Sequence, residues 1–355
     1  MQQLTSASLI LANGMIFKGF SFGCEQAAAG EVVFNTAMMG YPESLTDPSY
    51  SGQILVATFP LVGNYGIPKN EFLDDLSIFF ESEKIQVGGF IVSNYSVEYS
   101  HWNAEKSLSS WLKEHHIPAL CGIDTRELTK VLRESGSMLG KIVIGEHNID
   151  FVNPDTENQT DKVSCKEIIR YGQGSKTIVV VDCGVKHNII RCLLEYDVNL
   201  IRVPWNYDFN TLDYDGLFIS NGPGDPKHCD ITVQHLRKAM EKKRPIFGIC
   251  MGNQLLAKAG GAKTYKLKYG HRSHNQPVRM MDSNRCFITS QNHGFAVDET
   301  TLGKDWEPLC INMNDGTNEG LRHKTLPFFS AQFHPEAAGG PTDTRFLFDN
   351  FIALI

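Results

Sequence analysis

A chain of 355 residues, 42% hydrophobic and 21% charged, exceeds what one hydrophobic core usually organises, so two domains are the first expectation. A formal net charge of -7 without clustered Lys and Arg excludes a nucleic-acid-binding surface, which needs a local cationic excess to neutralise phosphates. The nine cysteines are odd in number and show no Cys-x-x-Cys spacing, which argues against a disulfide framework or a zinc site. The only apolar run near the N-terminus, Leu9 to Ala12, is too short for a signal sequence or a membrane span, so a reducing cytoplasm is the expected setting.

In chain order, residues 31–35 and 90–94 read as strands and 105–115 and 126–135 as helices, a mixed α+β domain with no cofactor loop and no repeat. Residues 145–175 are polar and broken by Pro154, Gly172 and Gly174, the composition of a domain junction. The boundary is placed near 170, giving domains 1–170 and 171–355. From Lys176 onward apolar runs at 178–181, 198–203, 217–219 and 246–249 alternate with helical patterns, including one at 230–243. That alternation predicts an α/β domain with a doubly wound, mostly parallel sheet. In such sheets active sites lie outside the carboxyl ends of the strands, which directs attention to the turns after Ile219 and Ile249.

Gly248-Ile249-Cys250-Met251-Gly252 follows a buried strand and precedes a helical run at 253–259. A cysteine at the centre of this small-x-nucleophile-x-small turn is a nucleophile elbow with sulfur in place of oxygen. The flanking glycines let neighbouring backbone approach where a Cβ would clash. The helix that follows points its positive end at the sulfur, favouring thiolate and hence attack on a carbonyl, with amides the natural target. Taken alone, Cys250 reads equally as a small buried hydrophobe. A base and a residue to orient it are offered by Phe333-His334-Pro335-Glu336 after an apolar strand: His334 to move the proton, Glu336 to fix the imidazole tautomer. Without the elbow this triplet reads equally as a loop ion pair.

The turn Gly222-Pro223-Gly224-Asp225-Pro226 leaves backbone N–H groups free to face an oxyanion, with the Met251 N–H as a second donor; its bland reading is a tight turn. Gln291-Asn292-His293-Gly294-Phe295 is expected as a loop after a strand at 286–290, suited to grip the amino-acid end of a small substrate. A metal role for His293 is set aside, because His271 and His274 lack metal-site companions in the sequence and flank Arg272.

At these residues the chain resembles the class I, triad-type glutamine amidotransferases. More closely, it is similar to the glutaminase (small) subunit of carbamoyl phosphate synthetase, in its eukaryotic fused form. Segments at 30–35, 40–43, 45–50 and 122–126 in the first half and 261–265 and 274–277 in the second carry that likeness nearly end to end. The resemblance implies hydrolysis of L-glutamine through a cysteine thioester, with ammonia delivered to a carbamoyl phosphate synthetase large subunit or fused domain for pyrimidine or arginine biosynthesis. It implies a catalytic set of Cys250, His334 and Glu336 and a glutamine site formed by Ser49, Gly222, Gly224, Met251, Gln254, Asn292, Gly294 and Phe295, with no metal. The first domain is implied to contact the synthetase. Two departures stand out, since the family often has Leu and His where this chain has Met251 and Asn253. Some relatives in ureotelic animals lack the nucleophile and cannot use glutamine, whereas here Cys250 and Gln254 are both present.

No Gly-x-x-x-x-Gly-Lys-[Ser/Thr] loop occurs, so no cofactor is expected in this chain, and ATP, Mg and bicarbonate are expected on the synthetase partner. The chain stops shortly after a helical run at 346–355 and reads as a domain excised from a longer protein. Two rival readings remain open. One is the same glutaminase serving another synthase, such as the GMP or anthranilate enzymes, which lack this N-terminal half; the other is a non-catalytic regulatory or scaffold subunit.

Overall fold

The structure, a computed structural model, describes residues 5–283 and 285–355. Its chain divides into two units, Met1–Thr156 and Glu157–Ile355. The division falls before residue 170 because the intervening segment is tied to the second unit. The Cys165 N–H donates to Asp182 Oδ2 at 2.7 Å and the Trp205 indole N–H to Asp161 Oδ1 at 3.0 Å. The strand Ile169–Tyr171 pairs antiparallel with Val198–Pro204. Polarity along the segment does not say which core its backbone hydrogen bonds serve.

In the first unit seven strands close a barrel in the order Ser6–Leu11, Met138–Ile144, Ala28–Asn35, Gln53–Ala57, Gly89–Ile91, Ala119–Cys121 and Ile16–Ser21. Of the expected strand at 90–94, only the part within Gly89–Ile91 joins the barrel; Asn94–Tyr95 pairs separately with Leu61–Val62. The two expected helices form as Leu108–Glu114 and Thr125–Ser135. The first begins at Ser107, whose Oγ accepts from the Ser110 N–H, and buries Leu108, Trp111 and Leu112, with the Trp111 ring stacked on Phe80. In the second, Asp124 accepts from the Glu127 N–H at 2.9 Å, and Leu128 and Leu132, one turn apart, face inward.

The second unit is built on a ten-stranded sheet in the order Ile169–Tyr171, Val198–Pro204, Lys176–Asp182, Gly216–Ile219, Ile246–Ile249, Phe328–Ala331, Asn318–His323, Trp306–Asn312, Lys263–Met280 and Cys286–Asp298. The five strands from Val198–Pro204 through Phe328–Ala331 are mutually parallel; Ile169–Tyr171 adds an antiparallel strand at one edge, and the four strands beyond Phe328–Ala331 form an antiparallel wing at the other. The sheet is therefore parallel only in its centre rather than over most of its width. The parallel strands are connected by helices such as Asp230–Glu241, whereas residues 263–323 return on themselves by hairpins, which give antiparallel neighbours. The central parallel strands Gly216–Ile219, Ile246–Ile249 and Phe328–Ala331 are buried along their length, as strands covered on both faces must be. Phe218, Phe247, Phe348 and Phe351 pack together where the helix Phe346–Ile352 covers one face. Among the described residues no helix is long and apolar enough to cross a membrane.

Candidate active site

Cys250 stands between the central strand Ile246–Ile249 and the helix Met251–Ala259, at φ 55° and ψ −101°. For a residue with a Cβ this backbone is strained by about 1–3 kcal/mol and persists only where its surroundings impose it. The imposition is visible. The Cys250 N–H donates to the Ala331 carbonyl at 2.8 Å and the Gly252 N–H to the Ser220 carbonyl at 3.0 Å, pinning the turn to both neighbouring strands. A Cβ on Gly252 would lie 2.2 Å from the Ile219 carbonyl oxygen, so only glycine lets the helix start this close to the sheet. A merely structural cysteine gains nothing from such a conformation, whereas a nucleophile gains its placement at the helix N-terminus.

The adjoining parallel strand Phe328–Ala331 delivers His334 and Glu336. The His334 N–H donates to the Ser290 carbonyl at 2.9 Å, and its Nδ1 lies 2.6 Å from Glu336 Oε1, which leaves Nε2 for the thiol. The Cys250 Sγ lies 3.7 Å from the Asn292 carbonyl oxygen. All three side chains are buried. Glu336 Oε1 also accepts from Lys186 Nζ at 3.0 Å, and Lys186 Nζ reaches the Ala337 carbonyl at 3.2 Å. Burial pushes the Glu336 carboxyl up, but Lys186 and then His334 outweigh it and hold it below the ordinary range. Burial likewise disfavours a charged His334, and the Glu336 carboxylate more than offsets it, keeping the imidazole protonated above its usual range despite Lys186. An imidazolium beside the Cys250 thiol carries the proton an amine leaving group needs.

The turn after the strand Gly216–Ile219 lies against the same site. Asn221 Oδ1 accepts from the Lys186 N–H at 3.1 Å, and a Cβ on Gly222 would meet the Cys183 carbonyl oxygen at 2.0 Å. Gly224 has φ 84° and packs on Gln159. Met251 opens the helix after the elbow, and Gln254 follows one turn later, its N–H donating to the Cys250 carbonyl at 3.2 Å. Asn292, Gly294 and Phe295 do not form a loop: they lie within the strand Cys286–Asp298, with Asn292 opposite Arg272 and His293 opposite His271. The sequence misleads here because the strand is rich in polar groups, buried by the antiparallel wing rather than exposed. Ser49 belongs to the first unit, in the turn Pro48–Tyr50, where it is buried and its N–H donates to Asp47 Oδ1 at 2.9 Å.

His271 does have companions, contrary to the sequence expectation: its ring, His293 and Glu319 bring ligand atoms within 4.8 Å of one another. Spacing along the chain hid this, because Glu319 comes from the strand Asn318–His323. The group is already bonded within itself. His271 contacts Asp315 Oδ2 at 2.9 Å and Glu319 Oε1 at 3.3 Å, Asn312 donates to Glu319 at 2.9 Å, and His293 Nε2 faces Gln291 Oε1 at 3.2 Å. Burial opposes charge on His271, but Asp315 and Glu319 outweigh it and its pKa is pushed up to about 9. His293, buried and facing that cation, is held neutral.

Two family models match in tandem: "Carbamoyl-phosphate synthase small chain, CPSase domain" over residues 9–142 and "Glutamine amidotransferase class-I" over residues 179–354. The carbamoyl phosphate synthase arginine-specific small chain of Debaryomyces hansenii is 49% identical over 98% of this chain and 85% of its own length. The chain belongs to the carbamoyl-phosphate synthase small-chain family. The multifunctional protein URA2 of Saccharomyces cerevisiae is also 49% identical, but the 98% of this chain that aligns spans only 17% of that protein. The human mitochondrial "carbamoyl-phosphate synthase [ammonia]" is 48% identical over 99% of this chain and 24% of its own length.

Against this small-chain family background, two residues of the site escaped the sequence reading. Lys186 ends the turn after the strand Lys176–Asp182, a carboxyl-end position of the kind that holds sites, so its place was a usable signal. Its burial and its partner 150 residues away were not. Gln332 is a polar residue within the buried run Phe328 to Phe333, and that exception to the pattern was the only clue.

Proposed function

We propose that this small-chain family member is a glutaminase that releases ammonia from L-glutamine for a carbamoyl phosphate synthetase large subunit or fused synthetase domain. The observation that carries the reading is the convergence of Cys250, His334 and Glu336 on a strained elbow. The Cys250 sulfur attacks the side-chain carbonyl carbon of glutamine. Backbone N–H groups of Met251 and of the turn holding Gly222 and Gly224 receive the developing oxyanion. The C–N bond breaks as His334 gives its proton to the departing ammonia. Water, deprotonated by the same imidazole, then hydrolyses the glutamyl thioester, releasing glutamate and restoring the thiol. Glu336, anchored by Lys186, keeps His334 in one tautomer throughout.

Gln254, Asn292, Gly294 and Phe295 complete the proposed glutamine site, and the first unit supplies the surface for the synthetase. Bicarbonate, ATP and Mg bind on that partner. The human relative is named for ammonia; retention here of a cysteine in a strained, base-coupled turn favours glutamine as this chain's nitrogen source. Labelling with a glutamine-like diazo-ketone tests the chemistry: modification of Cys250 that L-glutamine prevents is expected, and no labelling even with a synthetase supplied refutes it. In the complex, Cys250→Ala is expected to abolish glutamine-dependent synthesis and spare ammonia-dependent synthesis, and loss of both would overturn the division of labour.

A further inference from the structure

Four buried polar side chains beside the thiol form a relay whose direction is fixed by one atom. Gln254 Nε2 lies 3.0 Å from the Phe295 carbonyl oxygen, and a backbone carbonyl can only accept, so the amide nitrogen must face it. The second hydrogen of that nitrogen points to Gln332 Oε1 at 3.2 Å. Gln332 Oε1 also accepts from Asn253 Nδ2 at 3.0 Å, and Asn253 Oδ1 accepts from Ser330 Oγ at 2.8 Å. Turning over any one of the three amides would set nitrogen against nitrogen or oxygen against oxygen.

The consequence falls on Gln254. Both hydrogens of its amide are committed, and its Oε1 has no hydrogen-bond partner among the described residues. One helical turn from Cys250, the relay therefore presents a pure acceptor. Gln332 bears a cost for this: its own Nε2 is buried without a partner among the described residues, which leaves about 1–3 kcal/mol of desolvation uncompensated. Resting on the glutaminase reading above, we propose that Gln332 is a specificity-determining positioning residue, holding the Gln254 oxygen toward the substrate so that it accepts the α-ammonium of glutamine. The ammonium can donate but never accept, which suits an oxygen held as a pure acceptor. A carboxylate in the same place would face an oxygen and be rejected.

The test compares glutamate release from L-glutamine with hydrolysis of glutaramate, which has the same amide but no amine, using the full chain with its synthetase supplied. Gln332→Met removes the second of the two acceptors that hold the Gln254 amide and leaves the Phe295 carbonyl as its remaining restraint. KM for glutamine is expected to rise at least about tenfold with kcat little changed, and the preference for glutamine over glutaramate to fall by the same factor. Gln332→Glu restores an acceptor and is expected to keep most of that preference. If Gln332→Met does not fold, Ser330→Ala loosens the far end of the relay and is expected to shift the preference in the same direction by less. Equal losses on both substrates, or no change in preference, would overturn the proposal. Failure of the unaltered chain to hydrolyse either amide would instead remove the glutaminase reading.

Discussion

At φ 55° and ψ −101° Cys250 occupies a backbone region that costs any residue with a Cβ but suits glycine. Ordinarily Ala is the more stabilising of the pair. Here Cys250→Gly is expected to be more stable than Cys250→Ala by about 1 kcal/mol, both being inactive, as measured by denaturant midpoints. The buried Lys186–Glu336 pair makes a second prediction at this scale. Lys186→Met strands a carboxylate with His334 as its main counter-charge, so stability should fall by about 3–5 kcal/mol, and the charge balance on His334 shifts with it. Urea titration of the two proteins checks the first effect; a displaced pH profile of glutamate release checks the second. The proposed nucleophile and base are legible as residue types at telling positions. Lys186 is not, because an ion pair between residues 150 apart has no local signature.

Among the elements, the helix Met251–Ala259 depends on how closely it approaches the strand Gly216–Ile219. Gly252→Ala places a carbon 2.2 Å from the Ile219 carbonyl oxygen, and neither backbone can yield without moving the elbow. A loss of about 2–4 kcal/mol is expected, with weaker electrophile labelling of Cys250 in whatever folds; unaltered melting would contradict the packing. Helices and parallel strands were readable because their apolar periodicity is set by burial on known faces. The strand Cys286–Asp298 was cut short by the sequence reading because Ser290, Gln291, Asn292 and His293 are polar yet buried. The Ser290 hydroxyl meets His274, and the Gln291 and His293 side chains bond to each other and to Thr289 and Phe295 within the strand, so composition marked a loop where pairing with Lys263–Met280 makes a strand.

For the molecule as a whole, the division after Thr156 predicts that a fragment of residues 157–355 unfolds cooperatively. One starting at residue 171 loses most of the edge strand Ile169–Tyr171 and the contacts of Cys165 with Asp182, and should melt at lower temperature. The cluster around His271 adds a pH dependence to the second unit. A pKa raised from 6.5 to about 9 contributes stability that is fully present below about pH 6.5 and lost as pH rises through about 9, in amount up to about 3 kcal/mol. Replacing His271 by Gln should flatten that alkaline slope in denaturant midpoints taken from pH 6 to 10. By itself the sequence determined the two-part organisation, the α/β class of the second half and the positions of the proposed nucleophile, base and orienting carboxylate, because strand–turn–helix patterns and the chemistry of Cys, His and Glu are local. Tertiary structure alone decided the closed barrel, the antiparallel wing, the Lys186 anchor, the His271 cluster and the Gln332 relay. Each depends on which distant backbone lies alongside, and on whether a buried polar group finds its partner there.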